Sequence, residues 1–143
     1  MEKLPYRIAT YNGNNVNSEN VVYVLNKGLN SGKPSFTPFR NSFAVICDTA
    51  NTTNKIYITL YILQHCRAFD LHLIGSVIPF IRLRDFKTVL QEHEKLLTDE
   101  ILQNEINTIF NLLSKYNNLV KQCELIKEMI KCHSRRVSKK AKI

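Results

Sequence analysis

Tryptophan is absent, and glycine and proline occur only four times each in 143 residues. So little glycine and proline excludes collagen-like and low-complexity chains. No apolar run approaches the roughly 18 residues needed to cross a bilayer as a helix. The chain also lacks Gly-x-x-x-x-Gly-Lys-Ser/Thr, Gly-x-Gly-x-x-Gly, Gly-x-Ser-x-Gly and His-Glu-x-x-His. These are the patterns that build a phosphate cradle, a dinucleotide turn, a nucleophile elbow or a zinc-protease helix. Four cysteines, Cys47, Cys66, Cys123 and Cys132, contain no Cys-x-x-Cys pair. With no signal peptide ahead of them they read as reduced thiols, and a cytoplasmic location is expected.

What is present is ordinary globular material, 44% hydrophobic and 22% charged, in a length that suits one core. The net charge of +8 is unevenly spread. Residues 1–91 carry ten basic and five acidic side chains, net +5; residues 92–130 carry four and seven, net −3; residues 131–143 carry six and none, net +6. The terminal cluster of Lys131, Arg135, Arg136, Lys139, Lys140 and Lys142 reads as a solvated, frayed end. The excess on the first segment is therefore the more informative.

The order of elements predicts an α+β fold: a small mixed β-sheet domain with one or two packed helices, then a long amphipathic, coiled-coil-like helix. Residues 6–11 and 21–25 are β-branched or aromatic runs closed by Asn-Gly-Asn-Asn and Asn-Lys-Gly, hence strands ended by turns. The polar stretch Asn30-Ser31-Gly32-Lys33-Pro34 opens a long loop. Residues 42–47 form a short apolar run between Asn41 and Asp48, expected to be the central strand. A helix is expected from about Thr53 to Ala68, capped by Asp48 or Thr49, with Ile56, Leu60 and Leu63 on its inner face. Pro79 cannot donate to a ladder, so residues 77–81 are expected to be an extended segment at a sheet edge. Residues 82–90 fit a short helix with Leu83, Phe86 and Leu90 on one side.

The strongest periodic signal is late. Leu102, Ile106, Ile109, Leu113, Tyr116, Val120, Cys123 and Ile130 follow alternating three- and four-residue steps, with Lys127 in one seam position and Leu112, Leu119 and Ile126 on the flank. Such a stripe is wider than a two-stranded zipper needs. It suits either packing on the chain's own domain or contact with a second chain. The expected division is therefore residues 1–91 as an α+β domain, 92–132 as the long helix and 133–143 as a basic tail.

No cofactor, metal or small-molecule ligand is implied. His65-Cys66, His72 and Cys132-His133 would have to converge by chance to hold zinc. Cys47 lies inside an apolar strand, where burial favours the inert thiol. Glu92, Glu94, Asp99 and Glu100 suit the positive end of the long helix. Recognition chemistry remains. The loop around Lys27, Lys33 and Arg40 also carries Asn26, Asn30, Asn41, Ser31 and Ser42 as donors, with Phe36 and Phe39 between them. Its phenylalanines either serve that surface or tuck into the core. Arg67, Arg82, Arg84 and Lys87 form a second basic group.

Gly75-Ser76-Val77-Ile78-Pro79-Phe80-Ile81, running into Arg82-Leu83-Arg84-Asp85-Phe86, resembles the target recognition domain of type I restriction-modification specificity subunits. The order of elements is similar too. Together with the stretch at residues 26–34, the segment also resembles an uncharacterised bacterial family of Bacteroides type. The first resemblance implies major-groove DNA contact through loops of the β-rich part, with long helices setting the spacing of half-sites. Full specificity subunits carry two such halves, so a single half has to pair.

Charge and loop position nominate Lys27, Lys33, Arg40, Arg82 and Arg84 as DNA contacts. The seam nominates Ile106, Ile109, Leu113, Tyr116, Val120 and Cys123 as a dimer interface. The leading expectation is thus a non-catalytic module that binds duplex DNA and dimerises through its C-terminal helix. The alternative is an adaptor whose apolar helix joins another protein without DNA. A small enzyme built on Tyr57, Tyr61, His65 and Arg67 is the third reading.

Overall fold

The computed structural model describes residues 5–142. Four strands, β1 (Tyr6–Thr10), β2 (Val21–Leu25), β3 (Pro34–Ser35) and β4 (Ser42–Cys47), form one antiparallel sheet in the order β1-β4-β2-β3. Alternation along the strands gives two apolar faces. Tyr6, Val22, Val24, Phe43, Val45 and Cys47 point into the main core. Val21, Tyr23, Ala44 and Ile46 form a second cluster on the opposite face, covered by Tyr11, Val16 and Phe39. Burial on both sides is why β4 reads as an unbroken apolar run rather than an alternating one.

The main core is closed by two helices, α1 (Ala50–His65) and α2 (Leu83–Glu92). Thr49 caps α1, whose first residue, Ala50, lies three positions before the expected start; the Thr49 side chain accepts from the Thr52 amide at 3.1 Å. The helix stops at His65 rather than Ala68. Arg67 adopts φ +58°, and the Ala68 amide reaches back to the Leu63 carbonyl at 2.9 Å, a left-handed termination usually given to glycine. Ile56, Leu60 and Leu63 of α1 and Phe86, Val89 and Leu90 of α2 are buried. Phe69, just after α1, is buried too, and Phe86 lies between it and Phe43, with ring centroids 5.7 and 5.2 Å away.

Residues 77–81 are not a ladder strand. Ile74 and Phe80 exchange backbone hydrogen bonds at 2.9 and 2.8 Å, closing a tight loop. Within it Gly75 has φ +104°, and a Cβ there would meet the Ile78 carbonyl oxygen at 2.8 Å. Val77 and Ile78 within the loop are exposed, whereas Ile81 just after it is buried.

A four-residue helix, α3 (Lys95–Thr98), precedes α4 (Glu100–Ala141). Asp99 caps α4 through its Oδ1, which accepts from the Ile101 amide at 2.9 Å. The chain divides into two compact units inside α4, the first ending at Ile106 and the second beginning at Asn107. The boundary expected at residue 91 followed the change of charge. Packing puts it later, because Leu96 and Leu97 lie against the main core and Ile106 is buried. The expected frayed tail is also different: residues 133–141 continue the helix. In the second unit Ile126, Met129, Ile130, His133 and Val137 share one face, and Glu128, Lys131, Cys132, Arg135, Arg136 and Lys139 share another. Among the described residues no helix is long and apolar enough to cross a membrane.

Candidate nucleic-acid interface

The antiparallel register sets Leu25, at the end of β2, opposite Ser42, at the start of β4, and Val24 opposite Pro34. The loops carrying Lys27, Lys33 and Arg40 therefore leave from the same end of the sheet. Asn26 is the junction. Its amide donates to the Asn41 carbonyl at 2.9 Å, and its carbonyl accepts from the Ile81 amide at 3.0 Å. Next to it the Gly28 amide donates to the Pro79 carbonyl at 2.6 Å, and the Leu25 amide to the Lys33 carbonyl at 3.0 Å. Two segments far apart in sequence, residues 26–33 and 74–82, are thereby stitched into one surface. Arg82 follows directly, and Arg84 lies in the first turn of α2.

All five basic side chains are exposed. Among the described residues no ion pair involves Lys27, Lys33, Arg40 or Arg82, and Arg84 has only a loose contact with Asp85 at 3.8 Å. Exposed cations gathered there, only one of them beside a carboxylate, make a local positive field suited to phosphate. Arg67 does not join them freely, since its Nε binds Asp70 at 2.6 Å.

The polar donors expected in the loop divide. Asn30 and Asn41 are exposed. Ser31 and Ser42 are buried, and their hydroxyls donate to the Gly28 and Phe39 carbonyls, both at 2.7 Å. The two phenylalanines divide as well. Phe39 packs in the second cluster, while Phe36 stays exposed and stacks on Tyr57 with centroids 4.3 Å apart.

The same end of the sheet exposes apolar side chains that the sequence did not single out for it. Leu29 is 82% exposed and Val77 90%, with Ile78 and Phe80 beside Val77 also exposed. Gly75 followed four residues later by Pro79 is the sequence signal for the tight turn that exposes Val77 and Ile78.

Tyr57, Tyr61, His65 and Arg67 are each engaged by a neighbouring side chain. Tyr61 stacks on His65 at 4.0 Å, Tyr57 is covered by Phe36, and Arg67 is held by Asp70. Burial pushes the Tyr57 hydroxyl above the ordinary phenol range, with nearby Tyr61 adding to it. Cys47 is buried, and its thiol pKa is raised by that burial, against a smaller lowering from Thr53 and a further rise from Asp48. Cys66, Cys123 and Cys132 are exposed free thiols. Among the described residues no three His, Cys, Asp or Glu side chains gather as metal ligands.

The seam residues are not equivalent. Ile106 is 3% exposed and belongs to the first unit, so it is an anchor of that unit's packing and not a free seam position. Ile109 and Leu113 are half-buried, whereas Tyr116, Val120 and Cys123 are exposed. Leu112, Leu119, Ile126, Met129, Ile130 and Val137 are exposed along the same helix.

No curated protein and no solved structure matches this chain. A family model does match, over residues 8–136, a span that runs from β1 through the basic loops and most of α4. The chain belongs to the family of unknown function DUF6943.

Proposed function

We propose that this chain is a non-catalytic DNA-binding module that contacts duplex phosphates through Lys27, Lys33, Arg40, Arg82 and Arg84 and pairs with a second copy through α4. The observation that carries the reading is the Asn26 junction, which draws basic residues from distant parts of the sequence to one sheet end, where among the described residues only Arg84 has a carboxylate partner, Asp85 at 3.8 Å. Phosphate contact by loops held on a rigid sheet gives orientation and affinity, and base edges would be read by Asn30 and Asn41 beside them. The likeness of residues 75–86 to a restriction-modification recognition domain agrees with this reading. A cytoplasmic location, with the thiols reduced, goes with it.

Pairing through α4 is supported by the apolar stripe from Leu112 to Val137, exposed along the second unit. Isolated helices owe little stability to propensity alone, and most of it comes from burying an amphipathic face. A second copy supplies an identical stripe.

A second reading, an adaptor that joins a larger assembly without DNA, is favoured by one observation: Leu29, Val77 and Ile78 are exposed among the basic loops. Contiguous exposed apolar groups are common at protein interfaces. The two readings separate in a fluorescence anisotropy titration with random duplex DNA at two salt concentrations. The protein to use is the full chain with Lys131, Arg135, Arg136, Lys139, Lys140 and Lys142 changed to glutamine, so that the terminal charge does not mask the loops. Salt-sensitive binding by this variant supports the module; absence of binding favours the adaptor.

A further inference from the structure

The two edges of the sheet are unlike. β3 is two residues long and begins with Pro34, so that edge is blunted. β1 is five residues, Tyr6-Arg7-Ile8-Ala9-Thr10, without proline or lysine, and among the described residues pairs only with β4. Its direction of bonding follows from the bonds just beyond its ends. The Tyr11 amide donates to the Ser42 carbonyl at 3.0 Å, and the Asp48 amide donates to the Pro5 carbonyl at 3.1 Å. Bonded and outward-facing residues alternate in an antiparallel ladder. Pro5, Arg7, Ala9 and Tyr11 therefore turn towards β4, and Tyr6, Ile8 and Thr10 turn their backbone groups away from it. The Thr10 carbonyl is taken by the Asn15 side-chain amide at 2.7 Å, which closes that end. Among the described residues no hydrogen bond engages the backbone N–H or C=O of Tyr6 or Ile8.

A groove of about 280 Å³ runs beside this open stretch, lined by Tyr6, Arg7 and Ile8 of β1 and by Lys87 and Gln91 of α2. A strand edge on one side and a helix on the other form the geometry in which an extended peptide is added to a sheet. Main-chain bonds hold such a peptide, and the helix reads its side chains. The charged residues that line the groove are Arg7 and Lys87; Glu94 is not among them, though its charge reaches the Tyr6 hydroxyl. The complementary occupant is acidic. A second copy of β1 does not meet that need, since its charged residue is Arg7.

We propose that an extended acidic segment of another protein adds to the sheet as a fifth strand beside β1, in the groove between β1 and α2. Tyr6 and Ile8 each supply one donor and one acceptor to it. Side chains of the added strand on the helix side meet Lys87 and Gln91, where a glutamate or aspartate pairs with the Lys87 ammonium. The groove shares no lining residue with the five proposed DNA contacts, and the proposal does not depend on DNA binding.

The probe is a dye-labelled octapeptide of alternating valine and glutamate, with a valine–lysine octapeptide as the charge control, titrated against the full chain by anisotropy and by amide NMR. The expected result is saturable binding of the glutamate peptide, shifts centred on the Tyr6 and Ile8 amides, and lysine-peptide binding weaker by about tenfold or more. Ile8→Pro removes an outward donor without touching a bond to β4, and should weaken the glutamate peptide by a similar factor. Lys87→Glu should weaken it too, and leaves the strand backbone unaltered should Ile8→Pro fail to fold. Equal binding of both peptides, undiminished binding by Lys87→Glu, or no saturation at millimolar peptide overturns the proposal. So does a wild-type sedimentation mass that Ile8→Pro halves, because a second copy then occupies the edge.

Discussion

Gly32 lies so close to the ring of Phe69 that a methyl group on its α-carbon would sit 2.1 Å from Cδ2. The contact pins the loop between β2 and β3 to the residue that leads out of α1, and Phe69 in turn stacks on Phe86 of α2. The basic loop is therefore fastened to the main core through a position with no side chain.

Gly32→Ala should destabilise the protein by about 2–4 kcal/mol, combining overpacking with the strain of an L-residue at positive φ. Gly13→Ala is the matched control: φ is +98° there against +95° at Gly32, and nothing lies within 4 Å. It should cost only about 1 kcal/mol. Urea midpoints of the two variants measure the difference directly, and equal midpoints would refute the packing account.

Lys27→Ala and Arg82→Ala should each weaken random-duplex binding to a similar degree for all sequences and reduce the slope of log affinity against log salt by about 1. Arg67→Ala should leave that slope nearly unchanged, because Arg67 is already paired with Asp70. Anisotropy titrations across a salt series provide the slopes. A loss confined to one DNA sequence would mean base reading rather than phosphate contact.

Leu119→Glu should convert a dimer to a monomer with no change in the fold of the first unit, since Leu119 is 59% exposed and lies in the second unit. Sedimentation of wild type and variant at several concentrations tests this. A monomeric wild type removes the second copy from the proposal.

Stability should decline on the alkaline side. Burial, then the charge of Glu94 and then Cys47, raise the Tyr6 pKa, and burial raises that of Cys47. An acid whose pKa is higher folded than unfolded stabilises fully below the unfolded value, and that contribution is lost as pH rises through the folded one. The decline should begin above about pH 8.5 for the thiol and steepen above about pH 10 for the phenol. Tyr6→Phe should flatten the steeper part. At neutral pH it should be neutral or stabilising, because the Tyr6 hydroxyl is buried without a hydrogen-bond partner. A loss well beyond about 1 kcal/mol would show that the hydroxyl does have a partner.

Several elements were legible in the residues. The runs at 21–25 and 42–47, the inner face of α1 and the Phe86 face of α2 depend on local period and on β-branched or helix-forming residues, which act within a few positions. The turn at Gly75 is legible from its glycine, but how far the extended segment after it runs is not, because two exposed aliphatics look the same in a strand as in a turn. Charge, which marks surfaces, does not show that α3 and the first turns of α4 pack with the first unit. The lysines and arginines of the tail hide the apolar spacing of Ile126, Met129, Ile130 and Val137, so its helical continuation to Ala141 is not legible from charge.

The sequence by itself determined the fold class, the central position of β4, the long helix and the excess of positive charge, since each follows from local periodicity or from counting. Only the tertiary structure decided that Asn26 would join residues 26–33 to residues 74–82 and that Tyr6 and Ile8 would face an open edge. It also decided that Ile106 would be buried while Leu119 stayed exposed. Such relations arise from hydrogen-bond register and packing between segments distant along the chain, where no local pattern of residues specifies the partner.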